Sequence, residues 1–233
     1  MKVFVNGIAF DKLSAQEAAE KVIHLLKNGR SGYVVTPNVE IMASARDTEL
    51  FDVLSGADIV LCDGIGVSAM SLMRGKLLRR ATGIDLAQHL LKMCQDEGVS
   101  VFLYGAKGNI AERAKKNLET IYPRLSIVGT CNGYLSEDLA GSMIRDSGAK
   151  VVFVCTSSPK QEFFAREAAR ASSGVFYLAL GGVLDIFSGE KKRAPKLLQK
   201  LGLEWSYRFV CEPYRIKRFI KNVFGIKSLP NNR

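Results

Sequence analysis

Histidine is nearly absent from this chain: 233 residues contain two, His24 and His89. Both fall in amphipathic helical patterns, and a scattered pair does not make the ligand spacings of a metal site. The five cysteines, Cys62, Cys94, Cys131, Cys155 and Cys211, are odd in number and form no Cys-x-x-Cys pair. That usage argues against a disulfide frame or a zinc site and fits reduced, mostly buried thiols. No Asp-x-Asp occurs, so the spacing that lets two carboxylates chelate a divalent ion on a nucleotide diphosphate is missing. Neither a metal nor a cofactor is expected. Gly-x-Gly-x-x-Gly and a Walker A lysine are missing too, which removes the dinucleotide fingerprint and the P-loop. The longest greasy run, "VFYLALGGVLDIF", is short, carries Asp185 and contains a glycine pair, so it does not span a bilayer. "MKVFVNGIAFDK" at the start has no apolar stretch of signal-peptide length. The expectation is a cytoplasmic protein, not exported and not integral to a membrane.

What is present is ordinary globular composition, 47% apolar and 24% charged, with an unevenly placed net charge of +10. Residues 191–233 hold twelve of the 33 Lys/Arg but two of the 23 acids, Glu204 and Glu212. The 21 residues of each sign that remain leave residues 1–190 formally neutral. The spacing divides the chain accordingly into an α/β catalytic domain over 1–190 and a basic, amphipathic helical appendage over 191–233, with the boundary near "SGEKKRAP".

Within the body, short β-branched runs ("GYVVT", "DIVLC", "SVFLYG", "LSIVGT", "KVVFVCT", "VFYLAL") alternate with helical periods such as "SAQEAAEKVIHLLKNG" and "TGIDLAQHLLKMCQDEG". That order predicts a Rossmann-like, mostly parallel sheet with flanking helices. In such a sheet ligands bind beyond the carboxyl ends of the strands. Five strand ends lead into small or polar turns: Pro37-Asn38, Asp63-Gly64, Gly105-Ala106-Lys107-Gly108, Ser157-Ser158-Pro159-Lys160-Gln161 and Gly181-Gly182. These suit a phosphate-bearing ligand met by backbone N–H groups and helix dipoles, and equally suit tight βα connections. Ser158, Pro159 and Gln161 read as N-cap, N1 and N3 of a capping box, a role compatible with Gln161 facing a ligand. Asp63 stands where nothing structural demands an acid; it either caps the next helix or serves as a general base or sugar ligand. Thr82 and Asp85 read as a helix start, whereas Arg80 is free to hold a phosphate.

In the tail, Ile216, Phe219, Ile220, Val223 and Phe224 form one apolar stripe, with Arg215 and Arg218 on another face. A basic amphipathic helix reads as interfacial, each cation near an anionic leaflet contributing on the order of 1 kcal/mol. The competing reading packs it on its own domain or on a second subunit. Nucleic acid fits poorly, because no recognition motif or aromatic platform accompanies the charge.

The blocks "VTPNVEI", "ADIVLCDGIGV", "RRATGIDL", "LYGAKGNIAERAKKNLE", "IVGTCNGY", "SSPKQE", "GGVLDIFSGEKKRAP" and "KLGLEWSYRFVCEPYR" occur in the order seen in the WecG/TagA/CpsF glycosyltransferases, and the chain resembles that family, nearest its TagA type, over roughly residues 1–222. The resemblance implies metal-independent, inverting transfer of N-acetylmannosamine from a UDP-sugar to GlcNAc on undecaprenyl diphosphate, in wall teichoic acid linkage-unit synthesis, at the inner face of the cell membrane. By the same resemblance, Thr36 and Asn38 lie against the donor, Asp63 is the base, and Arg80 and Gln161 bind substrate. Arg208, Arg215 and Arg218 reach the diphosphates from the appendage, while Gly105, Gly181 and Gly182 are the phosphate-binding candidates of the strand-end turns read above. Asn132 and Val183 depart from the family pattern and bear on the choice of donor sugar, leaving another UDP-hexose as the alternative. Two other classes compete: a nicotinamide oxidoreductase, disfavoured by the missing fingerprint, and a non-catalytic nucleotide-sensing membrane adaptor. The greasy stripe of a detached tail would favour a homo-oligomer.

Overall fold

The computed structural model describes residues 2–200 together with Glu204, Ser206 and Tyr207. It opens with an element missing from the expectations above: β1 (Lys2–Val5) and β2 (Ile8–Asp11) pair antiparallel around Asn6 and Gly7. Both turn residues have positive φ, 49° and 82°, the type I′ geometry that suits Asn-Gly. Then follow α1 (Ala15–Lys27), β3 (Gly32–Val35), α2 (Val39–Ala45), α3 (Glu49–Ser55), β4 (Ile59–Val60), α4 (Ile65–Leu72) and α5 (Gly83–Glu97). The second half comprises β5 (Val101–Gly105), α6 (Ile110–Ile121), β6 (Ile127–Cys131), α7 (Glu137–Asp146), β7 (Val151–Cys155), α8 (Lys160–Arg170), β8 (Phe176–Ala179), α9 (Val183–Phe187) and α10 (Lys196–Lys200).

The six later strands form one sheet in the order β4-β3-β8-β7-β5-β6, every pair parallel. All six expected strands are in it. Successive side chains point to opposite faces, and here each face has its own core. Val34, Leu103, Phe153 and Leu178 pack under α1, α5 and α6, while Tyr33, Val35, Phe102, Val152 and Tyr177 pack under α2, α3, α7, α8 and the hairpin. That double coverage explains why these strands read as unbroken apolar runs. A fully buried Phe or Leu contributes roughly 1.5–3 kcal/mol.

The hairpin has a second task. Asp11, 6% exposed, accepts the Val60 N–H of edge strand β4 at 3.1 Å and meets Lys21 at 3.5 Å. At the far end of β5, Gly105 has φ 137°, and a Cβ there would sit 2.3 Å from the Cys155 carbonyl oxygen. The glycine is demanded by strand packing. Most of the expected 191–233 appendage lies outside the described residues; α10 falls within it.

Candidate active site

The carboxyl ends of β3, β4, β7 and β8 open onto one cavity of about 330 Å³, at the centre of the sheet where the strand order reverses. Thr36, Asn38, Asp63, Gln161, Gly181 and Gly182 all line it. These residues are far apart in sequence and meet because parallel strands deliver their ends to one edge.

Each has a local reason for its place. Thr36 directly follows β3 and donates its hydroxyl to the Ala179 carbonyl at 3.2 Å, holding the β3 and β8 ends together. Asn38 is the N-cap of α2, its Oδ1 accepting from Ile41 N at 3.0 Å. Asp63 follows β4, with its N–H donating to the Pro37 carbonyl at 3.4 Å. The helix beyond it starts from Gly64, at φ 99°, without a side-chain cap, so the capping alternative for Asp63 does not hold. Its carboxylate stands half-buried at the cavity wall instead.

The capping box at Ser158 also does not form. Helix α8 starts at Lys160 with Pro159 as N-cap and no side-chain capping bond. The Ser158 hydroxyl lies beside the Glu162 carboxyl without a well-formed hydrogen bond between them. Gln161, 3% exposed, has a different part. Its Oε1 accepts from Gly181 N at 2.9 Å and its Nε2 donates to Glu162 Oε1 at 2.8 Å. The amide is a strut that fixes the Gly181 turn, which has φ 59°. Burial pushes the Glu162 carboxyl above its ordinary range, opposed by the Gln161 amide, its own backbone and Ser158.

Two expected ligands stand away from the cavity wall. Gly105 belongs to the strand packing described above. Arg80 donates to the Gln199 carbonyl at 3.0 Å and pairs with Glu204. Glu204, 6% exposed, also accepts from Arg193 at 3.0 Å, and Arg193 reaches Asp85 at 2.6 Å. Thr82, as expected, caps α5 by accepting from Asp85 N at 3.2 Å. This chain of charges ties Arg193, Gln199 and Glu204 to the start of α5, whose Thr82, Gly83 and Ile84 line the cavity. Arg208, Arg215 and Arg218 lie outside the described residues.

Sequence reasoning gave no site role to Glu40, Asp185 or Lys191, all of which line the cavity. A signal existed: Glu40 comes two residues after Asn38, and Asp185 follows the Gly181-Gly182 turn. The described thiols, Cys62, Cys94, Cys131 and Cys155, are all buried, as expected. Burial pushes Cys62, next to Asp63, up to about 11. Among the described residues no three His, Cys, Asp or Glu side chains gather as a metal site would require.

A family model described as the glycosyl transferase WecG/TagA/CpsF family matches residues 3–228. The chain belongs to this family. The glycosyltransferase is 34% identical over 200 residues to an N-acetylglucosaminyldiphosphoundecaprenol N-acetyl-beta-D-mannosaminyltransferase of Bacillus subtilis (strain 168), a match covering 84% of this chain and 78% of the relative. In this glycosyltransferase the charged side chains of the cavity wall are, among the described residues, Glu40, Asp63, Asp185 and Lys191, three carboxylates against one ammonium. The N-terminal turn of α5 and the residues leading into α8 reach the same wall. Among the described residues no helix is long and apolar enough to cross a membrane.

Proposed function

We propose that this chain transfers N-acetylmannosamine from UDP-N-acetylmannosamine to the GlcNAc of GlcNAc-diphospho-undecaprenol, inverting the anomeric centre, as a peripheral enzyme on the membrane face that carries the lipid. The observation that carries the chemistry is Asp63, a strand-end carboxylate half-buried at the wall of the cavity. Asp63 takes the proton from the acceptor hydroxyl as that oxygen bonds to the anomeric carbon. The bond from that carbon to the diphosphate oxygen breaks, and UDP leaves with the electron pair.

The leaving diphosphate needs positive charge, and among the described residues the wall offers one lysine against three carboxylates. Backbone N–H groups at the starts of α5 and α8 supply part. The rest is assigned to Arg208, Arg215 and Arg218, within the basic segment that holds the net charge of the chain. Completing the pocket from the appendage couples turnover to docking at the membrane.

The test is mass analysis of a short-chain GlcNAc-diphospholipid incubated with a panel of UDP-hexoses. The expected product gains one N-acetylmannosamine, and Asp63→Asn slows its formation by about 10²–10⁴-fold with an unchanged melting temperature. Wild-type turnover in Asp63→Asn removes the assigned base, and preference for another UDP-hexose replaces the donor.

A further inference from the structure

The stretch that follows α4 plays no part in the cavity, yet it exposes more apolar surface than any other short segment described. Leu72, Met73 and Leu77 are 63%, 87% and 65% exposed. Their backbone is firmly built: Gly75, at φ 69°, ends the helix, with Lys76 N donating to Ser71 O at 3.1 Å and Gly75 N to Leu72 O at 2.9 Å. This is a Schellman turn. The buried Ser71 hydroxyl donates to the Lys76 carbonyl at 2.6 Å, and Leu78, 2% exposed, anchors the far side. The turn therefore holds three large apolar side chains outward from a framework whose own polar groups are satisfied.

Charge identifies what covers them. Arg74, Lys76 and Arg79 are exposed in the same turn, and no acidic residue occurs between Asp63 and Asp85. Arg74 also donates to Asn6 Oδ1 at 2.7 Å, bracing the turn against the hairpin, where Phe4 is 58% exposed. Leu, Met and Phe projecting beside Arg and Lys, with the exposed Glu17 of α1 near Arg79 at one side, match the boundary between acyl chains and anionic headgroups. A second protein copy would have to provide an acidic, concave counterpart.

We propose that the 72–79 turn is a membrane-docking site for anionic lipid bilayers, inserting Leu72, Met73 and Leu77 and setting Arg74 and Lys76 at the headgroups. This deepens the peripheral reading above. Helix α4 runs from the cavity wall at Asp63 to this turn, a span of about 12 Å at 1.5 Å per residue. Docking there holds the cavity within one short helix of the interface where a lipid-linked acceptor lies.

The experiment uses the full chain with Cys211→Ser and an environment-sensitive fluorophore on Met73→Cys. On phosphatidylglycerol vesicles the emission shifts to the blue and is quenched by brominated acyl chains; on pure phosphatidylcholine neither happens. The same label on Ile121→Cys, at the other end of the sheet and 64% exposed, stays unquenched. Replacing all three apolar residues by serine lowers partition onto the anionic vesicles at least tenfold, while Arg74→Gln with Lys76→Gln flattens its dependence on phosphatidylglycerol content. Vesicle-bound protein with an unquenched label at position 73 overturns the proposal, as does a chain that does not bind the vesicles. A blue shift without vesicles, accompanied by doubled mass, assigns the face to a second copy instead. The vesicles hold neither donor nor acceptor, and the transfer assay uses a short-chain acceptor, so each reading can fail without the other.

Discussion

A buried carboxylate that leans on an amide is a proton-sensitive part, and Glu162 is the clearest case in this molecule. Its pKa is raised in the folded state, so the native chain holds that proton more tightly than the unfolded chain does. The associated stability is fully present below the ordinary value of 4.5 and is lost as pH rises through the elevated native value. In urea titrations from about pH 4 to pH 8, wild type should lose stability relative to Glu162→Gln, the gap widening above the ordinary value and then levelling. Parallel curves would mean that burial of this carboxyl has no such consequence. Gly105→Ala acts by crowding: its Cβ would meet a backbone carbonyl that cannot turn aside, at a φ that L-residues rarely adopt. A loss on the order of 3 kcal/mol is expected, read as a lower melting temperature. Arg215→Glu should abolish most transfer and leave the melting temperature unchanged, because its assigned partner is the substrate diphosphate.

Among elements, those with long apolar runs or full helical periods were legible. "KVVFVCT" and "VFYLAL" had to be central strands, since nothing else absorbs so many consecutive apolar side chains within a parallel sheet. The cavity was legible for the same reason: a parallel sheet sends its carboxyl ends to one side, so Thr36, Asp63 and Gly181 had to come together. The hairpin was missed because each strand has four residues, although Asn6-Gly7 announces the turn. The capping box at Ser158 failed because Pro159 itself took the N-cap position, a backbone choice that spacing does not reveal. The pairing of Arg80 was not legible because its partner Glu204 lies 124 residues away in sequence. That clamp makes its own prediction. Glu204→Gln leaves Arg80 and Arg193, each under a quarter exposed, without their shared carboxylate. Breaking a buried pair in this way costs about 3–5 kcal/mol, so thermal unfolding should begin several degrees lower.

For the whole molecule, the clamp says where the chain can be cut. Ending it after Tyr207 keeps Glu204 between its two arginines and should leave a folded body with little transfer activity. Ending it before Glu204 should also lower thermal stability. Full activity in the longer truncation would show that the arginines beyond it are dispensable and would end the coupling between appendage and pocket. Equal melting temperatures for the two truncations would show that the clamp stabilises nothing.

At the rim of the sheet, the outward N–H of Val60 ends on the Asp11 carboxylate. A carboxylate satisfies that donor but has no donor of its own to offer onward, so the hydrogen-bond ladder stops there. Take the carboxylate away and the rim becomes a template on which another molecule's strand can register. Stirred solutions of Asp11→Val should therefore form fibrils after a shorter lag than the parent chain, even where both begin equally well folded.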